Sequence, residues 1–291
     1  MKSYGSKMEI RKVFIVGLGT MGSGIAQISA QAGYSVLAQD IHEDALKSGM
    51  KAIEWSVEKL VSKGQVEGAK EEILGRIETT KDLHDARDAD LVIEAVIENL
   101  QLKQEIFSDL DKICSSKTIL ATNTSALLIT DIASRTNHPE RVVGTHFFPP
   151  VPIMRLVEIV RGLLTSDETM KITCEFVQSL TKEPLIVHKD IPGFVVNRIN
   201  LWIYLEAIRL LELGVASVKD IDKALRLGAG YTIGPFEAMD LAGLDAMLNA
   251  IMALYKGTRD PKLFPPDTLR KMVSAGFLGR KTGRGFYEYK T

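Results

Sequence analysis

Cysteine is nearly missing from this 291-residue chain: Cys114 and Cys174 are its two, and neither stands in a C-x-x-C or histidine-flanked pattern. That removes the basis for a disulfide framework or a zinc cluster and fits a reducing compartment. Net charge is missing too, since 36 Lys and Arg stand against 37 Asp and Glu to leave −1. Such a balance offers no bulk electrostatic footprint for nucleic acid or an anionic membrane surface. No apolar run approaches the roughly 20 residues of a membrane span. Residues 1–9 are polar, without the apolar stretch of a secretory signal, and short for an organelle presequence. Repeats and low-complexity segments are lacking as well. The expectation is a cytoplasmic globule, holding no metal and binding neither nucleic acid nor membrane. At 45% hydrophobic and 25% charged residues it is long enough for two domains.

Against these absences one feature stands out near the start. The apolar run Val13-Phe14-Ile15-Val16 breaks into Gly17-Leu18-Gly19-Thr20-Met21-Gly22. A helical pattern follows from about Met21 to Ala32, then a second strand, Ser35–Gln39, ending at Asp40. Strand, glycine turn, helix, strand and acid describe a dinucleotide site. Gly17 can take a turn that a side chain would block, Gly19 leaves room for a pyrophosphate, and Gly22 lets helix and strand pack closely. The helix N-terminus points its N–H groups at the phosphates. Asp40 can accept hydrogen bonds from both hydroxyls of the adenosine ribose, and it would repel a 2′-phosphate. Two unit charges about 4 Å apart interact by roughly 4 kcal/mol at an effective dielectric near 20. No Arg or Lys closely follows Asp40, the next residues being Ile41, His42 and Glu43. NAD is therefore favoured over NADP, although FAD sites share this local fingerprint.

Strand and helix signals alternate through the first two-thirds of the chain, predicting an α/β fold with a doubly wound, mostly parallel sheet of Rossmann type. Helical periodicity covers Glu43–Lys63, Leu100–Cys114 and Asp167–Leu180, with a polar helix-like stretch over Glu67–Arg76. Strands are expected at Ile77–Thr80, Asp90–Glu94, Thr118–Ala121, Arg141–Thr145, Leu156–Val160 and Pro184–Val187. After Asp190-Ile191-Pro192-Gly193 the pattern turns helical, with a last strand signal at Phe286-Tyr287. Residues 1–190 are thus expected to form the dinucleotide-binding domain, and 191–291 an all-helical domain for substrate binding and dimerisation. The apolar face of Leu201, Ile203, Tyr204, Ile208 and Leu211 suits a homodimer interface or, equally, the domain's own core.

Removing hydride from an alcohol requires a base for the hydroxyl proton, and histidine titrates in the right range. Of five histidines, His146 directly follows an apolar strand, in His146-Phe147-Phe148-Pro149-Pro150. That is the carboxyl end of a parallel strand, where open α/β sheets bind ligands. Glu158 is conspicuous inside Leu156-Val157-Glu158-Ile159-Val160, because a carboxylate among apolar strand residues is costly unless partnered. An imidazole would partner it and gain basicity, making a general base with its orienter. Each residue alone also has an ordinary reading, a capped strand-end histidine or a glutamate facing water. Ser125, in Asn123-Thr124-Ser125, and Asn197, in Pro192–Arg198, can hydrogen-bond a carbonyl or hydroxyl but are also common at turns and caps.

Together these segments closely resemble the L-3-hydroxyacyl-CoA dehydrogenases, including the 3-hydroxybutyryl-CoA dehydrogenases, from about Lys12 to Tyr289. The likeness runs through Gly17–Ala26 (G-x-G-x-M-G-x-G-I-A), Ile93–Asn99, Asn123-Thr124-Ser125 and His146-Phe147-Phe148. It continues through Pro192–Arg198, Gly234-Pro235-Phe236 and Gly283–Tyr287. The resemblance implies NAD-dependent, reversible oxidation of a (3S)-3-hydroxyacyl-CoA, as in fatty-acid β-oxidation. It makes His146 the base, Glu158 its partner, and sets Ser125 and Asn197 beside the substrate's 3-oxygen and the nicotinamide. By the same likeness Gly17, Leu18, Gly19, Thr20, Met21, Gly22, Asp40, Glu98, Lys103 and Ser125 contact NAD, and Ser56 and Lys63 contact coenzyme A. The chain departs from the family pattern at Pro149, where asparagine is usual, and at Ala126 and Ile233. Proline supplies neither a side-chain amide nor a backbone N–H. A dehydrogenase of a free hydroxy acid or sugar acid on the same scaffold is one alternative. A catalytically silent NAD-binding structural protein is the other.

Overall fold

The computed structural model describes residues 10–66 and 69–289. Its strands are near-continuous apolar runs in the middle of the sheet, as expected where both faces are covered, and are more polar and exposed at its edges. They are β1 (Lys12–Val16), β2 (Ser35–Gln39), β3 (Ile77–Thr80), β4 (Leu91–Glu94), β5 (Ile119–Thr122), β6 (Val142–Phe147), β7 (Leu156–Val160) and β8 (Glu183–Val187). Among the described residues the sheet has eight strands, in the order β3-β2-β1-β4-β5-β6-β7-β8. All neighbours are parallel except β6 and β7. The chain winds outward from β1 through β2 and β3, then returns to β4 on the other side. The carboxyl end of β1 is therefore a topological switch point, the place where such sheets bind ligands.

Among the described residues, six helices belong to this unit: α1 (Thr20–Gln31), α2 (Glu43–Ser62), α3 (Lys70–Leu74), α4 (Leu100–Ile113), α5 (Ile129–Ala133) and α6 (Asp167–Ser179). Local chemistry sets their starts. Asn99 accepts from the Leu102 N–H ahead of α4, and Ser166 accepts from the Thr169 N–H ahead of α6. Ile25 and Ile28 of α1 join Val13 and Ile15 of β1 in the unit's apolar core.

The α/β architecture expected from the sequence is the one observed, with differences at the ends of elements. β6 runs two residues past the expected Thr145, so that His146 lies inside the strand. The reason is its antiparallel neighbour, which pairs Thr145 with Ile159, His146 with Glu158 and Phe147 with Val157 and so extends the ladder. The helix expected over Glu67–Arg76 contracts to α3, with residues 67–68 outside those described, as is the N-terminal tail 1–9. The short α5 and the 3₁₀ turn Leu83–Asp88 have no counterpart in the sequence reading.

The chain divides between Ile191 and Pro192, and the second unit is built from helices. These are α7 (Val196–Glu212), α8 (Val218–Gly228), α9 (Pro235–Ala242), α10 (Leu244–Thr258) and α11 (Asp267–Ser274). The strand signal at Phe286-Tyr287 becomes isolated bridges, Gly279 with Arg284 and Arg284 with Glu288. Leu201 and Ile208 are buried in this unit's own core, with Tyr204 and Leu211 packed against it. Most of the apolar face of α7 named above is thus internal packing.

Two buried aspartates hold the helical unit together. Asp222 accepts from the Phe236 and Glu237 N–H groups and from the Tyr287 hydroxyl. Asp240 accepts from the Phe286 and Tyr287 N–H groups and from the Tyr289 hydroxyl. A Cβ on Gly234 would lie 2.4 Å from the Asp222 Cβ, and one on Gly285 would lie 2.0 Å from Asp240 Oδ1. Close approach of these carboxylates explains the glycines of two C-terminal motifs. Among the described residues no single helix is long and apolar enough to cross a membrane, and the consecutive apolar pair α9 and α10 is bent by 99°.

Candidate active site

The glycine turn sits at the switch point. Gly17 has φ +91°, a conformation that L side chains avoid, and a Cβ on Gly22 would meet the Gly17 carbonyl oxygen at 1.8 Å. Gly19 precedes α1 in extended conformation, with no side chain capping the helix. A Cβ there would meet nothing within 4 Å, so the space in front of the helix N-terminus is open to a phosphate. Asp40 fastens the turn: it accepts from the Leu18 N–H at 3.0 Å and from the His42 N–H at 3.0 Å. Beyond them opens a cavity of about 460 Å³, within the range of small-molecule and cofactor sites. Ile41 and Ile97, both on its wall, are 72% and 73% exposed. Two such exposed isoleucines make apolar walls for a flat aromatic ring. An anion-binding helix end, an acid for hydroxyls and an apolar slot together fit a dinucleotide.

His146 and Glu158 face each other across the β6–β7 ladder. Residues directly opposite in an antiparallel pair project to the same side of the sheet, and here Nδ1 of His146 lies 2.7 Å from Oε2 of Glu158. Glu158 is fully buried, and the histidine side chain is 7% exposed. A carboxylate on Nδ1 selects the tautomer with its proton there and presents Nε2 as the basic nitrogen. The Phe148 ring stacks on the imidazole at 4.3 Å between centroids, tilted by 52°. The Phe147 N–H donates to Asn123 Oδ1 at 3.0 Å, tying the end of β6 to the turn after β5.

That turn is organised by Glu98. Its Oε1 accepts from the Thr124 hydroxyl at 2.6 Å, the Ser125 N–H at 2.9 Å and the Ala126 N–H at 3.2 Å. Ser125 Oγ is 3.3 Å from the same oxygen. Lys103 lies behind it with no exposed side-chain surface. Its ammonium donates to both Glu94 oxygens at 2.7 and 2.9 Å and stands 3.6 Å from Glu98. Buried in this way, the Lys103 ammonium is directed toward Glu94. Glu94 also takes the Thr122 hydroxyl and the Val96 N–H, each at 2.7 Å.

The remaining candidates lie on other elements. Ser56 is half-buried on α2, and Lys63, exposed, caps the same helix two turns on. Asn197 belongs to the helical unit, at the second residue of α7. Cys114 is a packing residue: burial pushes its thiol up to about 11, and Sγ donates to the Ala86 carbonyl. Reading along the chain missed Lys81, which lines the cavity with Asp40. The signal for it was the register of β2 against β3, which sequence alone does not reveal.

Fold and site define a two-unit, dinucleotide-dependent oxidoreductase, with an α/β unit followed by helices. Residues 12–191 match the family described as 3-hydroxyacyl-CoA dehydrogenase, NAD binding domain, and residues 193–289 match 3-hydroxyacyl-CoA dehydrogenase, C-terminal domain. The chain belongs to this NAD-dependent dehydrogenase family. It is 45% identical over 278 residues to a probable 3-hydroxybutyryl-CoA dehydrogenase of Deinococcus radiodurans, covering 96% of this chain and all of that one. With the mitochondrial hydroxyacyl-coenzyme A dehydrogenase of Homo sapiens it shares 42% identity over 98% of this chain and 93% of the other. Among solved structures, the (S)-3-hydroxybutyryl-CoA dehydrogenase of Ralstonia eutropha superposes with a TM-score of 0.93 at 43% identity, covering 97% and 100% of the two chains.

Proposed function

We propose that the protein oxidises (3S)-3-hydroxyacyl-CoA thioesters, 3-hydroxybutyryl-CoA among them, to 3-oxoacyl-CoA and also runs the reverse reaction. His146 is the general base and Glu158 its orienting partner. The 2.7 Å contact of His146 Nδ1 with the buried Glu158 carboxylate carries the reading. Bound NAD would supply the acceptor for the hydride that leaves C3. The substrate hydroxyl gives its proton to Nε2 of His146, and Glu158 stabilises the imidazolium that results. In the reduction direction the same nitrogen returns the proton to the 3-oxygen.

Residues Gly17 to Gly22 and Asp40 would hold the cofactor by its pyrophosphate and ribose. Ser125, held by Glu98, lies on the turn that would meet the nicotinamide and the 3-oxygen. Glu98 and Lys103, beside that turn, would also contact NAD. Asn197 would add a hydrogen bond to substrate, while Ser56 and Lys63 would receive coenzyme A, an ammonium serving a phosphate as a point charge. A homodimer through the helical unit belongs to the same proposal, with Ile199, Leu213 and Leu227 left 57%, 77% and 78% exposed. So does a cytoplasmic step of fatty-acid β-oxidation, which suits free cysteines at 114 and 174.

An NADH absorbance assay tests the reaction, with acetoacetyl-CoA compared against free 3-oxo acids. The thioester is expected to react and the free acids to lag far behind. His146→Ala is expected to lower turnover about 10²–10⁴-fold while NADH binding persists. Near-parental turnover in that variant would remove His146 from the mechanism.

A further inference from the structure

The adenosine end of the cleft holds a cation that the sequence following Asp40 does not contain. Asp40 is the first residue beyond β2, and Lys81 is the first beyond β3. The parallel register pairs Gln39 with Thr80. The Asp40 N–H donates to the Thr80 carbonyl at 3.3 Å, and the Gln39 side chain donates to the Lys81 carbonyl at 3.2 Å. Asp40 and Lys81 are thus neighbours on one edge of the sheet. Both line the cavity, and Lys81 is the only lysine or arginine among the described residues that do so. An ammonium beside the ribose acid is the kind of group that receives a 2′-phosphate.

This ammonium is engaged. Glu43, the first residue of α2, places Oε2 2.8 Å from Lys81 Nζ. That hydrogen bond holds the Glu43 carboxyl below the ordinary carboxylate range. Lys47 stands 3.6 Å from the other Glu43 oxygen, one turn along the helix. Of the two charged groups that line the cavity, Asp40 and Lys81, the cation is thus the one that Glu43 occupies. We propose that Glu43, by engaging Lys81, is a specificity-determining residue that acts with Asp40 to exclude a dinucleotide bearing a 2′-phosphate. Asp40 repels the extra phosphate, and Glu43 occupies the cation that would otherwise reward it. The inference rests on Asp40 as the ribose ligand.

Binding rather than turnover provides the test: fluorescence titration of NADH and NADPH on the full-length protein at low salt. Glu43→Gln is expected to raise the ratio of NADPH to NADH affinity about tenfold, a gain that shrinks at high ionic strength. Adding Lys81→Met to that variant is expected to abolish the rise. An unchanged ratio in Glu43→Gln would overturn the proposal, as would a rise that survives loss of Lys81, which would point to Lys47 or to bulk charge. Asp40→Asn checks the foundation separately. It is expected to weaken NADH, and unchanged NADH affinity would refute the ribose reading and this inference with it.

Discussion

Both units of the molecule bury carboxylates completely, and they use them differently. In the sheet unit, Glu158 meets the His146 imidazole, a ring with a second nitrogen able to accept a proton. In the helical unit, Asp222 and Asp240 meet backbone N–H groups and tyrosine hydroxyls, which donate to them. Burial together with Asp240 pushes the Tyr289 phenol up to about 12, and burial together with Asp222 pushes Tyr287 up as well. Those phenols therefore stay protonated as fixed donors at neutral pH. On the proposed function, the buried acid that faces a proton-accepting ring serves chemistry, and those that face only fixed donors serve architecture. Burial by itself does not distinguish the two.

Removing charge at constant shape breaks this comparison most sharply. Glu158→Gln is expected to lower turnover by about 10² or more, because the amide no longer stabilises the imidazolium. Thermal and denaturant unfolding should move little by comparison, and equal damage to both would dissolve the distinction. Asp240→Asn is expected to do the reverse. Its new NH₂ faces groups that are themselves donors, so stability should fall by about 1–3 kcal/mol, read by denaturant titration. Turnover of the molecules that remain folded should be retained.

The smallest expected effect concerns Asp111, a buried acid of the sheet unit whose partner is Arg141. Burial alone would push this carboxyl up, but Arg141 and the Asn137 N–H prevail and hold it below its ordinary range. A group depressed by folding contributes stability above its unfolded pKa of about 3.9 and loses it as pH falls through the lower folded value. Acid unfolding of the parent is therefore expected to steepen below about pH 4, and Asp111→Asn is expected to flatten that limb. An unaltered acid limb would show that the Asp111–Arg141 pair contributes nothing to it. A flattened limb would show that the partner, not the unit, decides how a buried acid behaves.

Much of this is legible in the sequence. Gly17, Gly19, Gly22 and Asp40 announce a dinucleotide turn because each position has a steric or electrostatic requirement that few residues meet. Glu158 announced itself as a misplaced charge in an apolar strand. Short elements were not legible: α5 and the Leu83–Asp88 turn are too brief for periodicity to register. Nor was the extension of β6 through His146, which depends on the antiparallel partner supplied by β7. The apolar stripe of α7 looked the same whether it met a second subunit or its own core, and the fold directs most of it inward.

Sequence by itself determined the alternation of strands and helices, the glycine turn and the charge of Glu158 inside an apolar strand, since these follow from local sterics and hydropathy. Tertiary structure alone decided which groups meet. The register of β6 on β7 sets an imidazole against a carboxylate, and the register of β2 on β3 brings Lys81 beside Asp40 from 41 residues away. Pairing of distant strands is settled by the whole sheet's hydrogen bonding and burial, a property that no local stretch of chain contains.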